Sequence, residues 1–221
     1  MKFRRKNADP QATETGSGED ALPGAADAGP SAPATPPSPR TDGPHDIADV
    51  GDDGIQRVDL GSVLVPPVEG RELRMQVDEK SGAVQAVLLA GQDGALEFQA
   101  FAAPRGGDLW SEVRPQIAAD ISRRGGTVTE REGRFGTELL CQVPVQLPEG
   151  KTGTQPSRII GINGPRWMLR ASLLGRPALD PDNAGEWDDA LAQIVVRRGD
   201  EPRPVGEPLG LELPDSARRV G

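Results

Sequence analysis

The sequence predicts an α+β domain, a mostly antiparallel sheet of about six or seven strands covered by two helices. Three observations predict it. Short runs of alternating apolar and polar residues are joined by turn dipeptides. Two stretches carry apolar residues at helical spacing. No apolar run approaches the roughly 18 residues of a membrane-spanning helix. Strands joined by tight turns pair antiparallel, and a sheet with an apolar face needs helices to cover it.

Ile55, Val58, Leu60, Val63, Leu64 and Val65 make a first extended segment, ended by Pro66-Pro67. In residues 71–78, Leu73, Met75 and Val77 alternate with Arg74, Gln76 and Asp78, the period of a strand with one wet face. Ser81-Gly82 turns the chain. Residues 84–90 are almost continuously apolar, as in a strand covered on both faces. Asp93-Gly94 predicts a type I′ hairpin turn, which needs positive φ at both central positions. Leu96, Phe98 and Ala100 then alternate with Glu97 and Gln99.

Asp108 suits the N-cap of a helix whose Trp110, Val113, Ile117 and Ile121 share one face and which Gly125-Gly126 ends. Pro115 places the regular start of that helix close to Arg114, with the proline in the first turn. Four more strands are predicted over 127–132, 135–145, 158–163 and 167–174, around turns at Gly133-Arg134 and Gly164-Pro165. Trp167, Leu169, Ala171 and Leu173 share a face of the last strand. A second helix is predicted over 185–197, with Trp187, Leu191, Ile194 and Val195 on its stripe. Pro202, Pro204, Pro208 and Pro214 then permit only an extended tail, laid along the domain through Leu209, Leu211 and Leu213.

Composition sets the domain limits. The hydrophobic share is 35%, with 28 Gly and 22 Pro among 221 residues. That is too little apolar surface for every residue to fold, so the shortage is assigned to one segment. Residues 1–45 form a Pro-, Ala- and Gly-rich arm, expected to be disordered. Residues 46–214 form one domain, and 215–221 a flexible tail. Pro33-Ala34-Thr35-Pro36 matches the bare P-x-x-P spacing, which says little inside a proline-rich tract. The arm's tip is basic at Lys2, Arg4, Arg5 and Lys6, so weak association with nucleic acid or another anionic surface is one reading. No apolar stretch follows that tip as it would in a secretory leader, so a cytoplasmic location is expected.

The net charge of −9 opposes a general nucleic-acid groove. His45 is the one histidine and Cys141 the one cysteine, too few for a zinc site. His45 is placed at the edge of the arm, where nothing would hold it for a nucleophilic triad. Cys141 sits inside the strand Leu139-Leu140-Cys141-Gln142-Val143, as a small buried side chain would. Asp46, Asp49, Asp52 and Asp53 lack the ligand spacing of a calcium loop. Glu186, Asp188 and Asp189 are explained by the dipole of a helix start. No catalytic, cofactor-binding or metal-binding residue is assigned. The candidate binding surface is Arg105, Arg166, Trp167 and Arg170, with Arg166 beside Trp167 as a stacked cationic surface.

Gly51-Asp52-Asp53-Gly54 leading into Arg57-Val58-Asp59-Leu60-Gly61-Ser62, the Trp110 helix, and Gly164-Pro165-Arg166-Trp167-Met168-Leu169-Arg170 together resemble an actinobacterial family described only as a domain of unknown function, number 3710. The resemblance spans roughly 47–214. It implies a cytoplasmic protein with no established activity and supplies no catalytic residues. The element order also resembles the PsbP-like fold, whose members mostly bind proteins or assist assembly. The expected function is therefore a non-enzymatic protein-binding or adaptor domain. The alternatives are an enzyme that uses Arg105, Arg166 and Arg170 with carboxylates on an anionic substrate, and anionic-surface association through the basic tip.

Overall fold

Short β segments open the fold: β1 (His45–Asp46), β2 (Val58–Asp59) and β3 (Val63–Val65). The long meander follows as β4 (Glu72–Val77), β5 (Val84–Ala90) and β6 (Gly94–Ala102). After helix α1 (Leu109–Arg123) come β7 (Thr127–Gly133), β8 (Gly136–Gln146), β9 (Thr152–Asn163) and β10 (Trp167–Gly175). The chain closes with α2 (Arg176–Leu179), a 3-10 turn at Pro181–Asn183, α3 (Gly185–Ala192) and β11 (Val195–Val196). These elements come from a computed structural model that describes residues 42–78, 84–146 and 152–214. The chain divides into two units, 1–33 and 34–221, and every described residue belongs to the second. The predicted arm as far as residue 41, the turn at Ser81-Gly82 and the tail from 215 lie outside the described residues.

The protein is α+β. Its main sheet has seven strands in the order β4-β5-β6-β10-β9-β8-β7, and every neighbouring pair is antiparallel. A second, four-stranded sheet, β1-β11-β3-β2, includes a parallel pairing of β1 with β11. β2 and β3 fall within the extended segment expected from Ile55 to Val65, whereas β1 and β11, of two residues each, carry no readable period. Two expectations change with it. The second helix stops at Ala192 rather than 197, because Val195-Val196 pair with β1 and β3. Their branched side chains suit a pleated, buried surface. His45 is held inside the fold, its amide donating to the Ile194 carbonyl at 2.9 Å.

The helix α1 begins earlier than Pro115 suggests. Asp108 caps it by accepting from the Ser111 amide at 3.0 Å. Trp110 then fixes the first turn: its amide donates to Asn163 Oδ1 at 3.2 Å and its indole Nε1 to the Thr137 carbonyl at 2.7 Å. The indole fills the space over Gly161, where any Cβ would collide with the ring. These anchors hold a regular helix through Pro115, although an interior proline costs about 3 kcal/mol or more. At the far end Gly125 takes φ +81 and the Gly126 amide returns to the Ile121 carbonyl at 3.0 Å, a glycine stop as expected.

The β5–β6 turn is centred one residue earlier than predicted. Gly91 donates its amide to the Gly94 carbonyl at 2.9 Å, which leaves Gln92-Asp93 at the tip. Gly94 is required for closeness instead, since a Cβ there would strike the Leu174 carbonyl and the Pro177 ring. β5 is also not covered on both faces: Val87 and Leu89 are buried while Ala86, Leu88 and Ala90 are partly exposed.

The sheet separates two cores. On one face Leu109, Trp110 and Ile121 of α1 pack with Leu139, Cys141 and Met168. On the other, Trp187, Leu191, Ile194 and the small sheet cover Leu96, Phe98, Ala100, Ile160, Ile162, Trp167, Leu169 and Leu173. The C-terminal segment is extended, as its prolines predict. Leu209 donates to Ala100 and Ala102 to Glu207, at 2.8 and 2.9 Å. Leu209 is buried, Leu211 partly so, and Leu213 exposed. Among the described residues no helix is long and apolar enough to cross a membrane.

Candidate binding surface

The helix α1 lies over β7, β8 and β9. Phe101 and Met168 mark the border of what it covers. Side chains alternate along a strand. Arg170, Ser172 and Leu174 therefore continue the Met168 face of β10, and Gln99 and Glu97 continue the Phe101 face of β6. The register sets Arg170 opposite Gln99, and Glu97 between Ser172 and Leu88. All of these side chains are partly exposed. This half of the face beyond α1 is a mixed apolar and polar surface, with Phe101 and Arg170 along its border with α1.

Arg170 places its Cζ 5.2 Å from the Phe101 ring centroid, a cation–π contact of about 0.5–1 kcal/mol where solvent reaches it. Among the described residues it makes no ion pair. Arg105 is exposed and likewise unpaired among them. Its loop is tied to the β9–β10 turn, because Ala103 donates to the Arg166 carbonyl at 3.0 Å and Gly106 to the Pro165 carbonyl at 3.1 Å. Arg105 and Arg166 thus come from adjoining loops at the end of the sheet where Phe101 also sits. Arg166 is partly engaged, through the Gly199 carbonyl at 3.4 Å and the fully exposed Asp200 at 4.0 Å. An exposed pair at that length holds it weakly.

Trp167 does not belong to this surface. It is 1% exposed, faces the opposite core, and donates from Nε1 to Asp46 Oδ2 at 2.6 Å. The strand parity that groups it with Leu169, Ala171 and Leu173 turns it away from Arg170, so the expected stack with Arg166 is replaced by that of Arg170 on Phe101.

A charged cluster missed in the sequence lies under α3. Arg158 on β9 is 1% exposed, Glu138 on β8 0% and Asp188 on α3 7%. Arg158 donates from Nη2 to Glu138 Oε2 and from Nη1 to Asp188 Oδ1, both at 2.8 Å. Arg131 on β7 extends the chain, with Nε 3.0 Å from Glu138 Oε1 and Nη2 3.0 Å from Asp182 Oδ1. Burial works against the charge on Arg158, but its bonds to Glu138 and Asp188 outweigh that and hold its pKa above the ordinary range. Parity carries a signal for this cluster. Arg158 shares its strand face with Ile160 and Ile162, an inward position where a cation needs buried acids.

The groups most able to act as nucleophile or base are committed elsewhere. Cys141 is buried in β8, and burial pushes its thiol up to about 11. Of the early aspartates, Asp46 accepts from Trp167 and Asp53 pairs with Arg57 at 2.7 Å. Among the described residues no three His, Cys, Asp or Glu gather as metal ligands would.

Comparison with known proteins adds a family. A family model described as "Protein of unknown function (DUF3710)" matches residues 43–220. No curated protein matches the chain. Among solved structures, the cyanobacterial PsbP protein (CyanoP) from Synechocystis sp. PCC 6803 is similar at 12% identity and a TM-score of 0.34, covering 68% of this chain and 98% of its own.

Proposed function

Because the chain belongs to the DUF3710 family of proteins of unknown function, its role has to be read from its own residues, and we propose that it is a cytoplasmic, non-enzymatic protein-binding or adaptor domain. Its docking surface is the half-face of the sheet beyond α1, with Arg170 and Phe101 along its border with the helix and Arg105 and Arg166 at its end. The observation that carries this is the guanidinium of Arg170 on Phe101, without an ion pair among the described residues, in a chain of net charge −9. Arginine and aromatic side chains are the usual anchors of protein interfaces. The partner's patch is acidic, to match the three arginines.

An enzyme working on an anionic substrate would need these arginines to converge with buried acids. The buried acids Glu138 and Asp188 are instead bound to Arg158. The test is affinity capture from native lysate with the wild-type chain and with an Arg105→Glu/Arg170→Glu variant shown to be folded. The proposal expects a stoichiometric partner that the variant loses. A partner retained equally by both chains would count against this surface.

A further inference from the structure

Arg71 lies at the opposite end of the sheet from Arg105 and Arg166, just ahead of β4 and beside the β5–β6 turn. Its side chain is 7% exposed, yet among the described residues its one polar contact is from Nη2 to Glu186 Oε2 at 3.4 Å. Glu186 is 94% exposed, so its carboxylate is solvated and a weak counter-charge. Arg71 Nε is buried without a hydrogen-bond partner. Burying a cation without compensation is costly. Arg57, Arg158 and Arg198 also bury an unpartnered Nε, but Arg158 has two buried carboxylates and Arg57 both oxygens of Asp53 at 3.0 and 2.7 Å. The distinction of Arg71 is its single, solvated counter-charge beneath an open groove.

What surrounds Arg71 holds it in one pose. Its Cζ stands 3.8 Å from the Trp187 ring centroid, a close stack. The Trp187 ring is in turn seated against Gly91, where a Cβ would come within 3.2 Å of Cζ2. Its Nε1 donates to Asp93 Oδ2 at 3.5 Å. Arg71 lines an open groove of about 450 Å³ with Glu72, Arg74 and the backbone of Gly91 and Gln92. The Glu72 carboxylate is taken by Arg74 at 2.7 Å. Arg71 is therefore the groove's under-compensated charge.

We propose that Arg71, stacked on Trp187, forms a seat for an oxyanion, a carboxylate or phosphate group presented to this groove. A planar guanidinium with a single, solvated counter-charge, fixed against an aromatic ring and largely desolvated, suits two coplanar acceptor oxygens. This seat lies at the β4 edge of the same four-stranded half-face, at the opposite end from Arg105 and Arg166, and it stands whether or not that face docks a protein.

The test follows the arginine Nε–H and indole Nε1–H signals of the full chain by NMR, with inorganic phosphate in one titration and succinate in another. The expected result is a saturable shift of the Arg71 and Trp187 signals while those of Trp110 and Trp167 stay in place. Saturation by phosphate alone assigns the seat to phosphate groups, and saturation by succinate alone to carboxylates. Arg71→Lys, which keeps the charge and loses the planar fork, binds at least about tenfold more weakly. A drift of all signals without saturation overturns the proposal on the wild-type chain alone, whether or not the variant folds. So does equal affinity in a folded Arg71→Lys chain.

Discussion

Arg158 of β9 and Asp188 of α3 meet at 2.8 Å where neither is open to water. The pair fastens the closing helix to the centre of the sheet, and Glu138 satisfies the other side of the same guanidinium. Removing Asp188 leaves the guanidinium with Glu138 alone and a buried donor unpaired. Asp188→Ala is expected to lower unfolding stability by about 1–3 kcal/mol. Urea denaturation of the two chains measures it. A loss below about 1 kcal/mol would mean that the pair contributes little.

Gly161 and Trp110 make a different kind of joint, one of shape. A methyl group at 161 would stand inside the indole's volume, so Gly161→Ala has to displace Trp110 and the first turn of α1. The expected cost is about 1–3 kcal/mol, together with a changed near-ultraviolet circular dichroism signal from the displaced indole. Unchanged stability and signal would contradict the packing described.

Asp108 gives a pH signature. Burial opposes its charge, but bonds from Ser111 and Asn163 prevail and hold its pKa below the ordinary 3.8. A folded-state pKa below the unfolded one gives stability that is present above the unfolded value and lost as pH falls through the folded one. Asp108→Ala is expected to cost about 1 kcal/mol at neutral pH. That difference narrows as pH drops below about 4, and unfolding curves of both chains from neutral to acid pH check it. A difference that stays constant over that range would mean that the charge on Asp108 does not matter.

Cys141 should be chemically silent while the domain is folded. Its thiol is buried and pushed up to about 11, so little thiolate forms at pH 8. A disulfide reagent is expected to react slowly with the native chain and at once with the chain in denaturant. Fast native labelling would place the thiol at an accessible surface.

Much of this fold was legible because long strands repeat every two residues. Leu73, Met75 and Val77, and Trp167, Leu169, Ala171 and Leu173, could be assigned to faces without coordinates. Turn chemistry gave most boundaries, though Gly94 misled by one residue because a close neighbour, not its φ, requires glycine there. Pro115 misled because local propensity cannot register Trp110 anchored on Asn163 and Thr137. Of the small sheet, β2 and β3 lay in the expected extended segment, but β1 and β11 were invisible, since strands as short as Val195-Val196 have no period. At the candidate surface, Arg105 and Arg166 stand beside glycine turns in the sequence, and Arg170 follows on the same strand as Trp167. Trp167 was placed there by adjacency in sequence, whereas its parity already assigned it to the core. Arg158 and Arg71 were missed because their partners, Asp188 and Trp187, come from a distant helix.

The central claim is that the half-face around Arg170 receives an acidic protein, and a photo-crosslinking residue at Gln99 tests it most directly. Gln99 stands opposite Arg170 in the register. Irradiation in cells is predicted to give a discrete adduct with one acidic protein, and Arg170→Glu to abolish it. No adduct from a folded chain carrying the probe at Gln99, or an adduct indifferent to Arg170→Glu, would contradict the account.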